Sequence, residues 1–390
     1  MGLTGLAIFK QLPKKNCGEC GVPTCMAFAM ALAAGKASLD ACPYVTDEAR
    51  EALDSASAPP IKLVKVGVGD KEVQLGDETV LFRHDKTFFH PTGLGFAVDD
   101  NDPAFAGKIE EIADLQFDRV GQHYEVEFIT LNNASGDAAT FAAAAEKAAA
   151  KKAVILKASD PAVISAALEK IAAEKPLIYA ATADNYEAMV EVAKKYEVSL
   201  AVYAEGLDAL EDLVNKITAL GYKELVLDPG SRQTAQVIAD MTQIRRLAIR
   251  KTFRPFGYPT IAFTSDEDPL DEAMQATAYV AKYAGIVVMK NAVKGLVLPI
   301  LSWRQNVYTD PQKPVAVEAK LMEGGAVNGD SPLYVTTNFS LSYYSVEGEV
   351  EASRIPSYII PIDTDGTSVL TAWAAGKFGG EHIAAAMKAY

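Results

Sequence analysis

Between residues 79 and 315 the chain alternates two hydrophobic periods. Short runs rich in β-branched and aromatic residues, at 80–83, 126–131, 153–157, 177–181, 199–203, 224–228, 260–264 and 286–289, read as strands. Amphipathic stretches at 140–150, 162–173, 185–195, 207–220, 232–249 and 269–283 read as helices between them. Eight βα units of this size, with crossovers long enough for parallel pairing, predict a (β/α)8 TIM barrel.

The flanks read differently. Residues 26–39 form an apolar helix and 46–53 an acidic one, followed by SASAPP at 55–60, a linker of small residues and prolines. A short β segment at 61–66 and a Gly69-Asp70 turn lead to 72–75. Beyond DPQKP at 310–314 the pattern becomes βαβα: a strand at 333–339, a helix at 341–352, a strand at 357–362 and a helix from 368 to 376 continuing to 387. Two βα units cannot cover both faces of a parallel sheet and leave an edge unpaired. The predicted organisation is an α/β chain in four parts. Residues 1–57 form a cysteine module, 58–78 a linker with a short β segment, 79–315 the TIM barrel, and 316–390 a partial, Rossmann-like α/β domain.

Composition narrows the function classes. Of 390 residues, 51 are Asp or Glu and 37 Lys or Arg, a formal charge of −14, which argues against nucleic-acid binding. The apolar fraction of 49% is that of a folded domain, and the longest apolar runs fall far short of the ~20 residues a membrane span needs. The N-terminus lacks a basic start and a small-residue cleavage site, so the expectation is a cytoplasmic protein.

All four cysteines, Cys17, Cys20, Cys25 and Cys42, lie in the first 42 residues, spaced C-x2-C-x4-C-x16-C. Three come from a tight loop containing Gly18 and Gly21, and the fourth follows an apolar helix and precedes Pro43. Structural zinc favours two paired CxxC knuckles, whereas this chain has one, and disulfides are rare in the cytosol. A single [4Fe-4S] cluster is the favoured reading; zinc remains the competing one. A lone cluster suggests electron delivery.

The cysteine spacing, the barrel, HPTGLG at 90–95, YVTTNFSLSYYSVEGEVEAS at 334–353 and DTDGTSVLTAWAAGK at 363–377 together resemble one family. It is the large (gamma) subunit of the corrinoid iron-sulfur protein, related to the acetyl-CoA decarbonylase/synthase gamma subunit. In that family the C-terminal domain continues past the point where this sequence stops at Tyr390, so the domain here is expected to be shortened. The resemblance implies a methyl-carrier subunit of the reductive acetyl-CoA (Wood-Ljungdahl) pathway, with a corrinoid (cobamide, cobalt) and a [4Fe-4S] cluster as cofactors. Such a subunit accepts methyl from methyltetrahydrofolate through a methyltransferase and passes it to acetyl-CoA synthase. The cluster reduces Co(II) back to Co(I). A small barrel subunit is the implied heterodimer partner. The alternative is a TIM-barrel methyltransferase or pterin-binding enzyme with an accessory iron-sulfur module.

Candidate corrinoid contacts lie at the two strand ends of the C-terminal domain, where open α/β sheets bind ligands. The first group is Thr336, Thr337, Asn338, Phe339 and Ser340, with Tyr343 and Val346 on the helix that follows; the second is Leu370, Thr371, Ala372 and Trp373. Helix capping by Thr337 or Asn338 would explain those residue types equally well. In the barrel, Asn132, Asn133, Asp184, Glu205, Asp228, Ser231 and Ser265 fall at the expected active face, without a metal set or an acid/base pair, and Asp228-Pro229-Gly230-Ser231 vaguely resembles a pterin-binding loop. The histidines, His84, His90, His123 and His382, are scattered, and no D-x-H-x-x-G motif occurs. The lower face of the cobalt is therefore expected to be open or water-filled.

Overall fold

The computed structural model describes residues 5–33, 37, 39–46, 49 and 59–390. Most of the expected acidic helix at 46–53 and of the linker at 55–60 lies outside the described residues. Before them, short helices Gly5–Gln11 and Cys25–Ala33 pack Ile8, Leu12 and Phe28 into a small core of their own.

A two-stranded antiparallel hairpin, β1 (Val64–Val66) and β2 (Val73–Leu75), precedes the barrel. The next strand is β3 (Gly93–Asp99), then a second hairpin, β4 (Gln116–Arg119) and β5 (Gln122–Glu125). The ring continues with β6 (Phe128–Asn132), β7 (Ala153–Lys157), β8 (Leu177–Ala181), β9 (Leu200–Tyr203), β10 (Leu225–Asp228), β11 (Ile261–Phe263) and β12 (Ile286–Met289). All eight barrel strands are parallel, in the order β10-β9-β8-β7-β6-β3-β12-β11, and a parallel bridge between Leu227 and Thr260 joins the two ends.

The expected first strand at 80–83 is a correction: β3 holds that place in the ring, while 76–92 runs as loop and turn. Arg245 pins this loop, donating to the Val80 carbonyl at 2.6 Å and to Glu78 at 2.9 Å. Glycine is depleted in strands, which hides GLGFAVD from a propensity reading. The glycines are there for space, because a Cβ on Gly93 or Gly95 would lie 2.4 or 2.6 Å from Phe128. Phe128 instead fills the lumen with Ile155, Val226 and Ile286, and Val64, Val66 and Leu75 of the first hairpin join that core. The hairpin plugs one end of the barrel. A second core lies between strands and outer helices, with Phe141, Ile164, Leu213 and Tyr279 fully or almost fully buried.

The C-terminal module is a three-stranded sheet. β14 (Leu333–Thr337) pairs in parallel with β15 (Ser357–Ile362) through the helix Ser340–Ser353. An unforeseen strand, β13 (Met322–Gly324), lies antiparallel on the other edge of β15. That edge is therefore covered by the chain itself. The helices Val369–Ala374 and Gly380–Ala389 follow. Among the described residues no helix is long and apolar enough to cross a membrane.

Candidate cofactor sites

The cysteine loop turns tightly. Gly18 and Gly21 take positive φ (77° and 85°), conformations that a side chain would strain, and the Gly21 amide donates to the Gly18 carbonyl at 3.0 Å. Asn16, also left-handed, is tied to Cys25 both ways: its amide donates to the Cys25 Sγ at 3.4 Å, and its Oδ1 accepts from the Cys25 amide at 2.8 Å. All four cysteines are free; Cys25 and Cys42 are buried, Cys20 is half-buried and Cys17 is exposed. Cys20, Cys25 and Cys42 share one apolar core with Phe28. Among the described residues no three Cys, His, Asp or Glu side chains already converge on a metal position.

Tyr44 is a residue the sequence reading passed over. Its hydroxyl donates to Glu19 at 2.9 Å, and Lys15 Nζ stands 3.6 Å from its ring centroid. That bond fastens the Cys17–Cys20 loop to the segment after Cys42, and together with the Glu19 charge it raises the Tyr44 pKa. Four free thiols, an N–H bond to one sulfur and an apolar cover over three of the cysteines fit an iron-sulfur cluster, whose potential such groups tune.

In the C-terminal module the two strand-end loops are knitted together by one side chain. Asn338 Oδ1 accepts from the amides of Thr364 and Gly366, both at 3.0 Å, and from the Thr364 hydroxyl at 3.2 Å, while its Nδ2 donates to Asp363 at 3.1 Å. Helix Ser340–Ser353 has Phe339 at its N-cap without a side-chain bond, so neither Thr337 nor Asn338 caps it. Thr336, Thr337, Asn338, Ser340 and Tyr343 are buried, and Phe339 and Val346 half-buried. The Thr337 hydroxyl is enclosed and finds no hydrogen-bond partner among the described residues. Tyr343 donates to Glu347 at 2.8 Å, and burial first, then that bond, pushes its pKa up. Of the second group, Ala372 is buried, whereas Leu370 (74% exposed), Trp373 (66%) and Thr371 face outward. The module thus offers polar loops braced from within beside apolar side chains left in the open.

Comparison with known proteins places the chain in a family. Residues 63–390 match the family model described as "CO dehydrogenase/acetyl-CoA synthase delta subunit", and residues 12–44 match one described as "Putative Fe-S cluster". The corrinoid/iron-sulfur protein large subunit of Moorella thermoacetica is 59% identical over 392 residues, covering 100% of this chain and 88% of that protein. The chain belongs to this large-subunit family. The acetyl-CoA decarbonylase/synthase gamma subunits of Methanothermobacter thermautotrophicus (33% identity, 100% of this chain, 88% of that one) and Methanopyrus kandleri (36%, 98% and 86%) are its relatives as well. The larger family model carries the delta-subunit name, whereas the relatives aligned along essentially the whole chain, at 59%, 33% and 36% identity, are large or gamma subunits. Among solved structures, dihydropteroate synthase of Vibrio fischeri ES114 covers 57% of the chain at 14% identity and a TM-score of 0.42.

In this large-subunit family member the barrel mouth is also an ordered site. Asp228 is fully buried. Its Oδ1 accepts from the Gly230 amide at 2.8 Å and from Arg232 at 3.0 Å, and its Oδ2 accepts from the Tyr179 hydroxyl at 2.7 Å and from Arg232 at 2.9 Å. Asn133 donates to Asp100 at 2.9 Å, and Asn132 to Asp99 at 2.8 Å. Ser231 bonds Asp240, Ser265 donates to the Arg232 carbonyl at 2.8 Å, and Asp184 and Glu205 are exposed. The sequence reading named the carboxylates and amides here but missed Lys157, Tyr179, Tyr203, Arg232 and Phe263. Strand parity could have found four of them: counting in twos from the apolar lumen positions reaches Lys157, Tyr179, Tyr203 and Phe263.

Proposed function

We propose that this chain is the methyl-carrying large subunit of a corrinoid iron-sulfur protein in the reductive acetyl-CoA pathway, with a cluster that delivers electrons to the cobalt. Its partners would be a small barrel subunit, a methyltetrahydrofolate methyltransferase and acetyl-CoA synthase, in the cytoplasm. A bound corrinoid supplies a cobalt that takes up and gives up a methyl group, and a [4Fe-4S] cluster supplies single electrons that keep the cobalt reduced. Cys17, Cys20, Cys25 and Cys42 would hold the cluster, with Asn16 and the Tyr44–Glu19 bond positioning the loop. Thr336 to Ser340, Tyr343 and Val346 would line one side of the corrinoid pocket, and Leu370 to Trp373 the other, with Asn338 holding the two loops at a set separation. In this reading residues 1–57, 79–315 and 316–390 act as cluster, barrel and corrinoid domains, with 58–78 connecting the first two.

The single observation that carries the proposal is 59% identity to a corrinoid/iron-sulfur protein large subunit along the whole chain, with all four cysteines present at 17, 20, 25 and 42. Absorption spectroscopy with cobalt and iron analysis of the purified protein tests it. Corrinoid bands beside a broad shoulder near ~400 nm support the carrier. Iron-sulfur absorption without cobalt, together with turnover of a methylated pterin by the chain alone, would instead support a barrel methyltransferase.

A further inference from the structure

We propose that the barrel mouth is a ligand site of its own, taking a small aromatic oxyanion whose charged group sits on Lys157 and whose ring lies among Tyr179, Tyr203 and Phe263. The strand register creates the site. Asp99, Asn132, Lys157 and Tyr179 are consecutive neighbours across β3, β6, β7 and β8, and Tyr203 pairs with Asp228 across β9 and β10. Two residues below this rim the lumen is apolar, so the polar layer is confined to the carboxyl ends of the strands, the face where barrels place ligands. Two cavities of about 450 and 420 Å³ open there and share Asn132, Lys157 and Arg232 in their walls. Each is within the size range of small-molecule pockets.

Among the described residues at the mouth, charge partnering leaves one cation over. Arg232 is held by both oxygens of Asp228, Lys108 pairs with Asp102 at 2.5 Å, and Lys290 pairs with Glu267 at 2.5 Å. Lys157 Nζ has no hydrogen bond or ion pair among the described residues; its neighbours are the rings of Phe263 (5.0 Å to the centroid) and Tyr179 (5.8 Å). Burial, then the charge of Arg232, lowers its pKa, against the pull of Asp228 and Asp99. Asp228 has both oxygens engaged, and one oxygen of Asp99 accepts from Asn132, so neither carboxylate makes an ion pair with Lys157. A partly desolvated ammonium without a contact ion pair is costly, and an oxyanion seated on it relieves that cost. The wall is aromatic besides: Arg232 lies over Tyr203 and Phe263 at 5.8 and 5.0 Å, and the ladder between β8 and β9 is irregular between Ile178 and Ala181, where Tyr179 and Ala180 line the cavity. Irregularities of this kind re-aim side chains beside binding sites. The inference is independent of the cluster and corrinoid assignments.

Calorimetric titration of the intact holoprotein with phenyl phosphate, benzoate, inorganic phosphate and benzamide tests it. The expected result is saturable binding of phenyl phosphate or benzoate, whichever binds more tightly identifying the oxyanion, with benzamide and inorganic phosphate at least tenfold weaker. Lys157→Gln should weaken that binding at least tenfold and Lys157→Arg should restore most of it, with cluster and corrinoid absorption unchanged in both. Absence of binding by both aromatic anions at millimolar concentration, equal binding of benzamide, equal binding of inorganic phosphate, or full affinity in Lys157→Gln would each overturn the proposal.

Discussion

The barrel and the C-terminal module solve the same problem to different degrees. In the barrel every strand is flanked on both sides, the lumen is filled by its own side chains and plugged by the first hairpin, and Asp228 has all its charge answered from within. The C-terminal sheet has three strands over a core of Tyr343, Val350 and Ile359, and it leaves Leu370 and Trp373 in solvent. The barrel's lumen and walls are finished by its own residues, and only its mouth is left with a charge to answer. A module with apolar side chains gathered outside braced loops has its surface set for something that binds there.

The sharpest attempt to break the contrast is Asp228→Ala. It strands the Arg232 guanidinium and the Tyr179 hydroxyl, and breaking a buried pair costs roughly 3–5 kcal/mol. Arg232 is partly exposed, so the expected loss is about 3 kcal/mol in urea unfolding, and a loss under ~1 kcal/mol would mean the barrel does not depend on this network. Leu370→Ser combined with Trp373→Ser probes the other region. Exposed positions should change stability by no more than ~0.5 kcal/mol, while corrinoid retention after gel filtration should fall about tenfold. A large stability loss with normal retention would place these residues in a core instead.

A smaller effect is set by pH. The folded-state pKa of Lys157 lies below the ordinary lysine value of about 10.4, so in the window between the two the unfolded chain holds the extra proton and stability rises with pH. Below that window the penalty is present in full. Lys157→Met should therefore be slightly more stable than the parent at pH 7, with the difference shrinking toward pH 10.5. A less stable variant at pH 7 would contradict this. The smallest expected effect is none: His382 is exposed on the last helix, and His382→Ala should leave the electron paramagnetic resonance of the cobalt-loaded protein unchanged. Nitrogen splitting that disappears in the variant would show histidine ligation.

How legible each region was follows from its physics. Seven of the eight barrel strands were readable because buried parallel strands are short apolar runs between helices. β3 was hidden by Gly93 and Gly95, whose role depends on a ring from another strand, and β13 is a three-residue edge strand too short to show a period. The cysteine spacing pointed to the N-terminal segment, of which residues 12–44 match an iron-sulfur family model. Asn338 was named from its position at a strand end, but its bonds to Thr364 and Gly366 depend on a loop 26 and 28 residues away, which no local pattern carries.

The central claim is a division of labour, in which the cysteine module supplies electrons and the rest of the chain handles the methyl group. Cys20→Ala tests it most directly, assayed for methyl transfer after chemical reduction of the corrinoid and, separately, for reductive reactivation. The account predicts near-normal methyl transfer and abolished reactivation. Loss of methyl transfer in the pre-reduced, still folded variant would contradict it.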